Sequence, residues 1–318
     1  SRTGRLIPNF DSREVNMSGY TFLPPDNFLG LAEEFSAYER SRVVVLPIPY
    51  EATVSYSGGT RNGPRAILQA STQVELLDRE FDDELALRWG VHTLPALAPS
   101  MEGPAAMVDA IQEVVAEQAR AGKFVVGLGG EHTVSVGVAR GLAQVFCADG
   151  SPLLTVQIDA HSDLRASYED STYSHACAAR HFHQLGPLAQ IGIRSVCREE
   201  TDYIAANPET VRVFFAEEVH AGPEYLAELA EWVRGYKVFL TIDVDGMDPA
   251  LIPATGTPEP GGLSWWQTLD VIRTVAQNAD IVGFDAVELA PIPGYHAADF
   301  TVAKLVYKTL ALALEGRQ

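Results

Sequence analysis

A chain of 318 residues, 47% apolar and 20% charged, can bury a sizeable core, and that composition fits neither a disordered nor a fibrous protein. Its formal charge of −19 argues against nucleic acid or an anionic membrane as partner, since both need clustered Lys and Arg; it suits cationic ligands or metal ions, although solubility alone also accounts for such a charge. Three scattered cysteines without a C-x-x-C pair, no apolar run near a membrane span and no signal-peptide core lead to the expectation of a cytoplasmic protein with free thiols.

Residues 1–41 read as a polar arm containing Pro and Asn, with little periodicity before Phe28–Tyr38. Arg42–Ile48 is a continuous apolar run suited to a strand buried on both faces. The glycine-containing loop Tyr56–Pro64 feeds a helix starting near Pro64. Strand-like runs follow near 88–94, 124–128, 153–158, 188–193, 211–215, 237–242 and 281–287. Helical patterns lie between or after them at Ala105–Arg120, Val134–Phe146, Tyr225–Arg234, Trp265–Gln277 and Ala297–Leu314. This alternation predicts an α/β fold with a mostly parallel, eight-stranded sheet covered by helices on both faces. No Pro/Gly/Ser linker divides the chain, so 1–318 reads as one domain. The acidic run Asp78–Glu84 reads as a solvated helix end or loop.

Parallel sheets bind ligands beyond the carboxyl ends of their strands, so the polar residues that follow each apolar run carry the chemistry. Phe124–Leu128 is followed by Gly129-Gly130-Glu131-His132, and Leu153–Ile158 by Asp159, His161 and Asp163. Val238–Ile242 leads into Asp243 and Asp245; the last run contains Asp285 and ends at Glu288. In extended chain Asp159, His161 and Asp163 point to one side, and carboxylates gathered at a buried strand end are costly without a cation. His132, Asp159, His161, Asp163, Asp243 and Asp245 offer twice the ligands that one catalytic zinc needs. Mixed imidazole and carboxylate favours harder ions such as Mn²⁺, and two ions bridged by carboxylates would use all six ligands and acidify a shared water.

Each piece has another reading on its own. Asp243-Val244-Asp245-Gly246 resembles a phosphotransferase nucleophile motif, but Met247 stands where a hydroxyl residue normally follows. A calcium loop starting at Asp243 would need Glu at its twelfth position, which is Ala254. His132 alone would be an ordinary core histidine. His181 and His183 flank Phe182 on a helical segment and face different sides, and His92, His220 and His296 read as structural or surface residues. Two rivals stay open: a Mg²⁺-dependent phosphotransferase built on Asp243, which leaves His132, His161 and Asp159 without work, and a catalytically silent binding protein.

Taken together, Gly129–His132, Asp159–Asp163, Thr241–Pro249, the loop Ala254–Pro258 and Asp285–Glu288 resemble the ureohydrolase family of arginases, agmatinases and guanidino-acid hydrolases, from Val43 to the last helix. The resemblance implies a three-layer α/β/α, arginase-like fold with two Mn²⁺ ions. One would be held by His132, Asp159, Asp163 and Asp243, the other by His161, Asp159, Asp243 and Asp245. It implies hydrolysis of a guanidino compound to urea and an amine, with Asp163 among the carboxylates that support the intermediate, Glu288 pairing with the substrate guanidinium, and His175 as proton shuttle. It also implies a homo-trimer or homo-hexamer. Thr257 and Arg165 are carried over as substrate-facing positions. Arg165 stands where arginases keep an Asn that reads the arginine carboxylate, which counts against arginine. Tyr173–Cys177 and Gly59–Ala66 look like the agmatinase branch, so agmatine, yielding putrescine, is the expected substrate. Arg165 should then point away or be neutralised by Glu169; if it faces the pocket, guanidinobutyrate fits better.

Overall fold

A computed structural model of the chain describes residues 25–316. They form an eight-stranded, all-parallel sheet: β1 (Val43–Ile48), β2 (Val91–Thr93), β3 (Phe124–Gly129), β4 (Leu153–Ile158), β5 (Leu188–Ile193), β6 (Val211–Phe215), β7 (Lys237–Asp243) and β8 (Asp280–Val287), in the order β2-β1-β3-β8-β7-β4-β5-β6. Helices cover both faces. Trp265–Asn278 and Ala297–Glu315 pack into one apolar cluster, and Pro104–Arg120 and Thr133–Phe146 into the other. The β1, β4 and β5 strands are buried along their whole length, as two-sided cover requires. Pro47 is tolerated inside β1 because its carbonyl accepts from Leu97 beyond the end of the short β2, so its missing N–H leaves no ladder bond broken.

The strand ends match the sequence reading closely, except at 88–94. There Arg88 and Trp89 belong to the helix Leu85–Trp89, and only Val91–Thr93 is strand. Gly90, at φ 70°, ends that helix. Most of the N-terminal arm lies outside the described residues. Its last part is docked: Phe28, Leu29 and Leu31 are buried, and the Leu29 N–H donates to Ser71.

The acidic run is a loop, as expected, but it is not simply solvated. Lys308, on the last helix, donates to both oxygens of buried Asp78 at 2.8 and 2.9 Å and meets Glu80 at 2.8 Å; Arg273 holds Glu80 from the neighbouring helix. Lys308→Met should cost about 3–5 kcal/mol, because Asp78 would be left buried without its counter-ion. A lowered thermal unfolding midpoint is the expected readout, and an unchanged one would contradict the assignment.

At the sheet centre β3, β8, β7 and β4 are consecutive neighbours. Their register aligns Leu128 with Ala286, Asp243 with Val287, and Ile158 with Ile242, so their carboxyl ends open at one level. The crevice they share is where a parallel sheet binds its ligand.

Candidate metal centre

Each of the four central strands hands a polar group to the crevice. After β3 the chain turns through Gly130, where a Cβ would sit 1.9 Å from the Tyr50 carbonyl oxygen, so no larger residue lets β3 run this close to the Tyr50 segment. His132 follows at the N-terminus of the helix Thr133–Phe146. Asp159, His161 and Asp163 follow β4, Asp243 ends β7 with Asp245 two residues on, and Glu288 follows β8. Asp163 and Glu288 both hold positive φ, at 52° and 66°, a conformation a non-glycine residue keeps only where its surroundings impose it.

Two foci result. At the first, His132 Nδ1 lies 3.1 Å from Asp159 Oδ2, 3.2 Å from Asp163 Oδ2 and 3.2 Å from Asp243 Oδ2. It is buried and makes no hydrogen bond of acceptable geometry to any of them. One N–H cannot serve three carboxylates, whereas one cation can, so this convergence has the character of a coordination shell. At the second focus His161 Nδ1 lies 3.0 Å from Asp245 Oδ2 and 3.7 Å from Asp159 Oδ1. His132, Asp159 and Asp163 gather tightly enough to hold an ion, as do Asp159, His161 and Asp245, and Asp159 is common to both sets. Asp243 gives Oδ2 to the first focus, while its Oδ1 accepts the Asp245 N–H at 3.0 Å.

The charges of this cluster are unbalanced among themselves. Burial, and then the Asp159 charge, push the Asp163 carboxyl up to about 7. Burial followed by Asp245 and Asp159 holds Asp243 well above the usual carboxylate range. Burial alone would lower the His161 imidazole, yet Asp245 and Asp159 raise it to about 12. Burial and mutual repulsion thus disfavour the fully ionised shell, and divalent cations in the two foci would favour it.

Buried groups one register row below orient the ligands. Gln157 on β4 is aligned with Gln190 on β5 and with Thr241 on β7. Gln157 donates to Asp159 Oδ2 at 2.7 Å and accepts from Gln190 at 2.8 Å, and the Ser162 hydroxyl donates to Gln190 at 3.1 Å. Thr241 Oγ1 sits 3.0 Å from His132 Nε2, fixing the ring by its far nitrogen. The sequence signal of Gln157 and Thr241 is an amide or hydroxyl inside an otherwise apolar strand, two residues before a candidate ligand and therefore on its face.

Above the foci opens a cavity of about 190 Å³ lined by Asp163, Arg165, His175, Thr257 and Glu288 together with His161, Asp243 and Asp245. The candidate ligands, Arg165, His175, Thr257 and Glu288 therefore gather here, with His132 and Asp159 beneath the floor, whereas Asp285 stays buried within β8 and does not line the cavity. Tyr56, Tyr168, Glu200 and the segment Ser195–Val196 also line it and carried no signal of their own. Glu288 Oε1 accepts the His132 N–H at 2.6 Å, at a helix N-terminus that favours negative charge. Burial nevertheless holds the Glu288 carboxyl well above its usual range, and a cationic partner beside it would favour its ionised form. Arg165 does not point away from the cavity. Its guanidinium stacks over Tyr168 at 5.0 Å, with no ion pair to Glu169 among the described residues. His181 and His183 stay out of the site: one stacks on Tyr173, the other contacts Tyr203.

Residues 41–311 match the family model of the arginase family. The chain belongs to the arginase family. Arginase-family chains are binuclear metal hydrolases of amidino C–N bonds, and the two foci sharing Asp159 are where this member would hold its ions. Among its relatives, N(1)-aminopropylagmatine ureohydrolase of Synechocystis sp. is 41% identical over 90% of this chain and 93% of its own. Agmatinase of Bacillus anthracis is 36% identical over 80% of this chain and 86% of its own. The solved agmatine ureohydrolase of Thermoplasma volcanium superposes with a TM-score of 0.79 at 31% identity, covering 94% of this chain and 97% of that one. Among the described residues no helix is long and apolar enough to cross a membrane.

Proposed function

We propose that this arginase-family ureohydrolase hydrolyses a linear guanidinoalkyl amine, N(1)-aminopropylagmatine or its shorter parent agmatine, to urea and the corresponding polyamine. The observation that carries the reading is the acidic cavity floor, where Glu288 stands beside two ligand foci joined through Asp159. Relatives named for these two substrates support the choice, and the 41% relative favours the aminopropyl form over the agmatine expected from sequence motifs. His132, Asp159, Asp163 and Asp243 would hold one Mn²⁺, and His161, Asp159, Asp243 and Asp245 the other. Bound there, the ion pair supplies Lewis acidity, acidifying water and offsetting negative charge that develops on the reacting guanidine. Glu288 takes the guanidinium, aligning its central carbon over the foci through a charge-assisted contact. His175, at the cavity wall, moves a proton to the departing amine.

Urea release measured side by side from N(1)-aminopropylagmatine, agmatine, 4-guanidinobutyrate and arginine, with added Mn²⁺, tests the reading. The first two should be turned over best, and no urea from any of the four rejects it. His175→Ala should keep both ions while slowing turnover by about 10²–10⁴-fold, the usual contribution of a positioned acid–base. Loss of metal in that variant would move His175 from proton transfer to structure.

Arg165 favours a second reading. A guanidinium lining the cavity suits a substrate whose tail is a carboxylate, such as guanidinobutyrate, and opposes an ammonium tail. Arg165→Ala separates the two. With a cationic tail, kcat/KM should hold or rise; with a carboxylate tail it should fall about 10-fold or more, as expected for losing a hydrogen bond to a charged group worth about 1.5–3 kcal/mol.

A further inference from the structure

The Gly129-Gly130-Glu131-His132 turn contains one charged residue that neither metal binding nor guanidine hydrolysis uses directly. Glu131 is fully buried, lines neither focus, and spends its carboxylate on a different segment. Its Oε2 accepts the N–H groups of Ala52 at 2.8 Å and Thr53 at 2.7 Å, and its Oε1 lies 3.0 Å from Thr53 Oγ1. Thr53 Oγ1 in turn accepts the backbone N–H of His175 at 3.0 Å and lies 3.3 Å from His175 Nδ1. Three segments far apart in the chain thus meet on one hydroxyl, directly behind the imidazole at the cavity wall.

Donor and acceptor accounting decides what that hydroxyl does. Burial raises the Glu131 carboxyl, but the two backbone N–H groups on Oε2 and the Thr53 hydroxyl on Oε1 all meet it as an acceptor. A carboxylate so held only accepts, so the single hydrogen of Thr53 Oγ1 goes to Glu131. The hydroxyl then has only lone pairs to offer. One meets the His175 backbone N–H, and the ring nitrogen facing the other must itself carry a hydrogen. The Ser174 hydroxyl, 3.4 Å from the same nitrogen, can rotate to suit either tautomer and decides nothing. Burial lowers the His175 imidazole to about 4, so the resting ring is neutral and which nitrogen is protonated matters. Tyr168 packs edge-on against the ring at 5.9 Å and limits its rotation.

We propose that Glu131 and Thr53 are positioning residues that fix His175 as the Nδ1–H tautomer, leaving Nε2 as the lone-pair nitrogen available for proton transfer in the cavity. The inference rests on the proposed role of His175 as the proton carrier of guanidine hydrolysis. Thr53 acts through His175 and touches no ligand focus. Glu131 does the same through Thr53, and in doing so ties the turn that delivers His132 to the wall that delivers His175.

The tautomer is read directly from long-range ¹H–¹⁵N correlations of histidine-labelled protein loaded with diamagnetic Zn²⁺, the His175 signals being those lost in His175→Gln. A pyrrole-type shift at Nδ1 and a pyridine-type shift at Nε2 are expected, and the reverse pattern overturns the proposal. Thr53→Val should mix or reverse the tautomers and lower kcat by about 10–100-fold, the usual range for a group that orients a functional side chain. KM and a two-ion stoichiometry should stay unchanged, and Thr53→Ser should restore the wild-type pattern. Glu131→Gln should turn the Thr53 hydrogen toward Nδ1, because an amide N–H would then face Oγ1. Where that variant fails to fold, the Val and Ser pair at Thr53 carries the test. Wild-type kcat in Thr53→Val, or an undiminished effect of Thr53→Val in a His175→Ala background, would also overturn it. If the wild type releases no urea from any guanidino compound, the hydrolase reading fails, while the resonance pattern still decides the tautomer.

Discussion

Asp159→Asn should strip the chain of one or both ions and take nearly all urea release with it. Asp159 is the ligand common to both foci, with Oδ2 3.1 Å from His132 Nδ1 and Oδ1 3.7 Å from His161 Nδ1. It is fully buried and already accepts from Gln157 on one oxygen and from the His161 N–H on the other. An amide keeps the shape but removes one negative charge and turns an N–H group toward one focus, where it repels a cation. Loss of charge stabilisation alone costs about 10²–10³ in kcat, so losing an ion as well should exceed that. Metal content after gel filtration, measured beside urea release, checks both halves. A variant that retains two ions per chain would contradict the shared-ligand assignment.

Glu288→Gln should behave differently, keeping both ions and losing the substrate. Glu288 belongs to neither focus, and its Oε1 is held by the His132 N–H at 2.6 Å, an interaction the Gln carbonyl can replace. What it cannot replace is the charge that a guanidinium meets in a buried site. Removing one member of a buried, hydrogen-bonded charge pair costs about 2–5 kcal/mol, or about 30- to 5000-fold in kcat/KM. The positive φ of 66° is a backbone property that Gln inherits, so stability should change little. Steady-state kinetics with the best substrate, together with metal analysis, would reveal an unexpected ligand role if ions were lost.

How much of this was legible beforehand depended on whether the signal was local. Strand runs such as Val43–Ile48 and Leu153–Ile158 are buried on both faces and read as unbroken apolar stretches. The six candidate ligands and Glu288 stand out because each follows such a run at the end where a parallel sheet opens. The short helix Arg198–Ala206 leaves no periodic signal in the sequence: it buries only Glu200, so it has no apolar stripe, and its start is set by a cap in which Glu200 accepts the Cys197 N–H. Trp89 reads as strand in the sequence because an apolar residue two positions before Val91 looks the same in either element, whereas Gly90 ends the helix between them. The supporting groups were hidden by distance, since Gln157 meets Gln190 only through strand register and Thr53 meets His175 across 122 positions. Arg165 shows a third limit. Its place after Asp163 was plain, but the side chain follows Tyr168 rather than the expected Glu169, and no spacing rule decides between those partners.

Anomalous scattering at the manganese edge, from crystals grown with Mn²⁺, would test the two-ion centre most directly. Two peaks roughly 3.5–4 Å apart are expected, one beside His132 and one beside His161 with Asp159 between them. One peak alone, or ions bound away from these residues, would contradict the two-ion assignment.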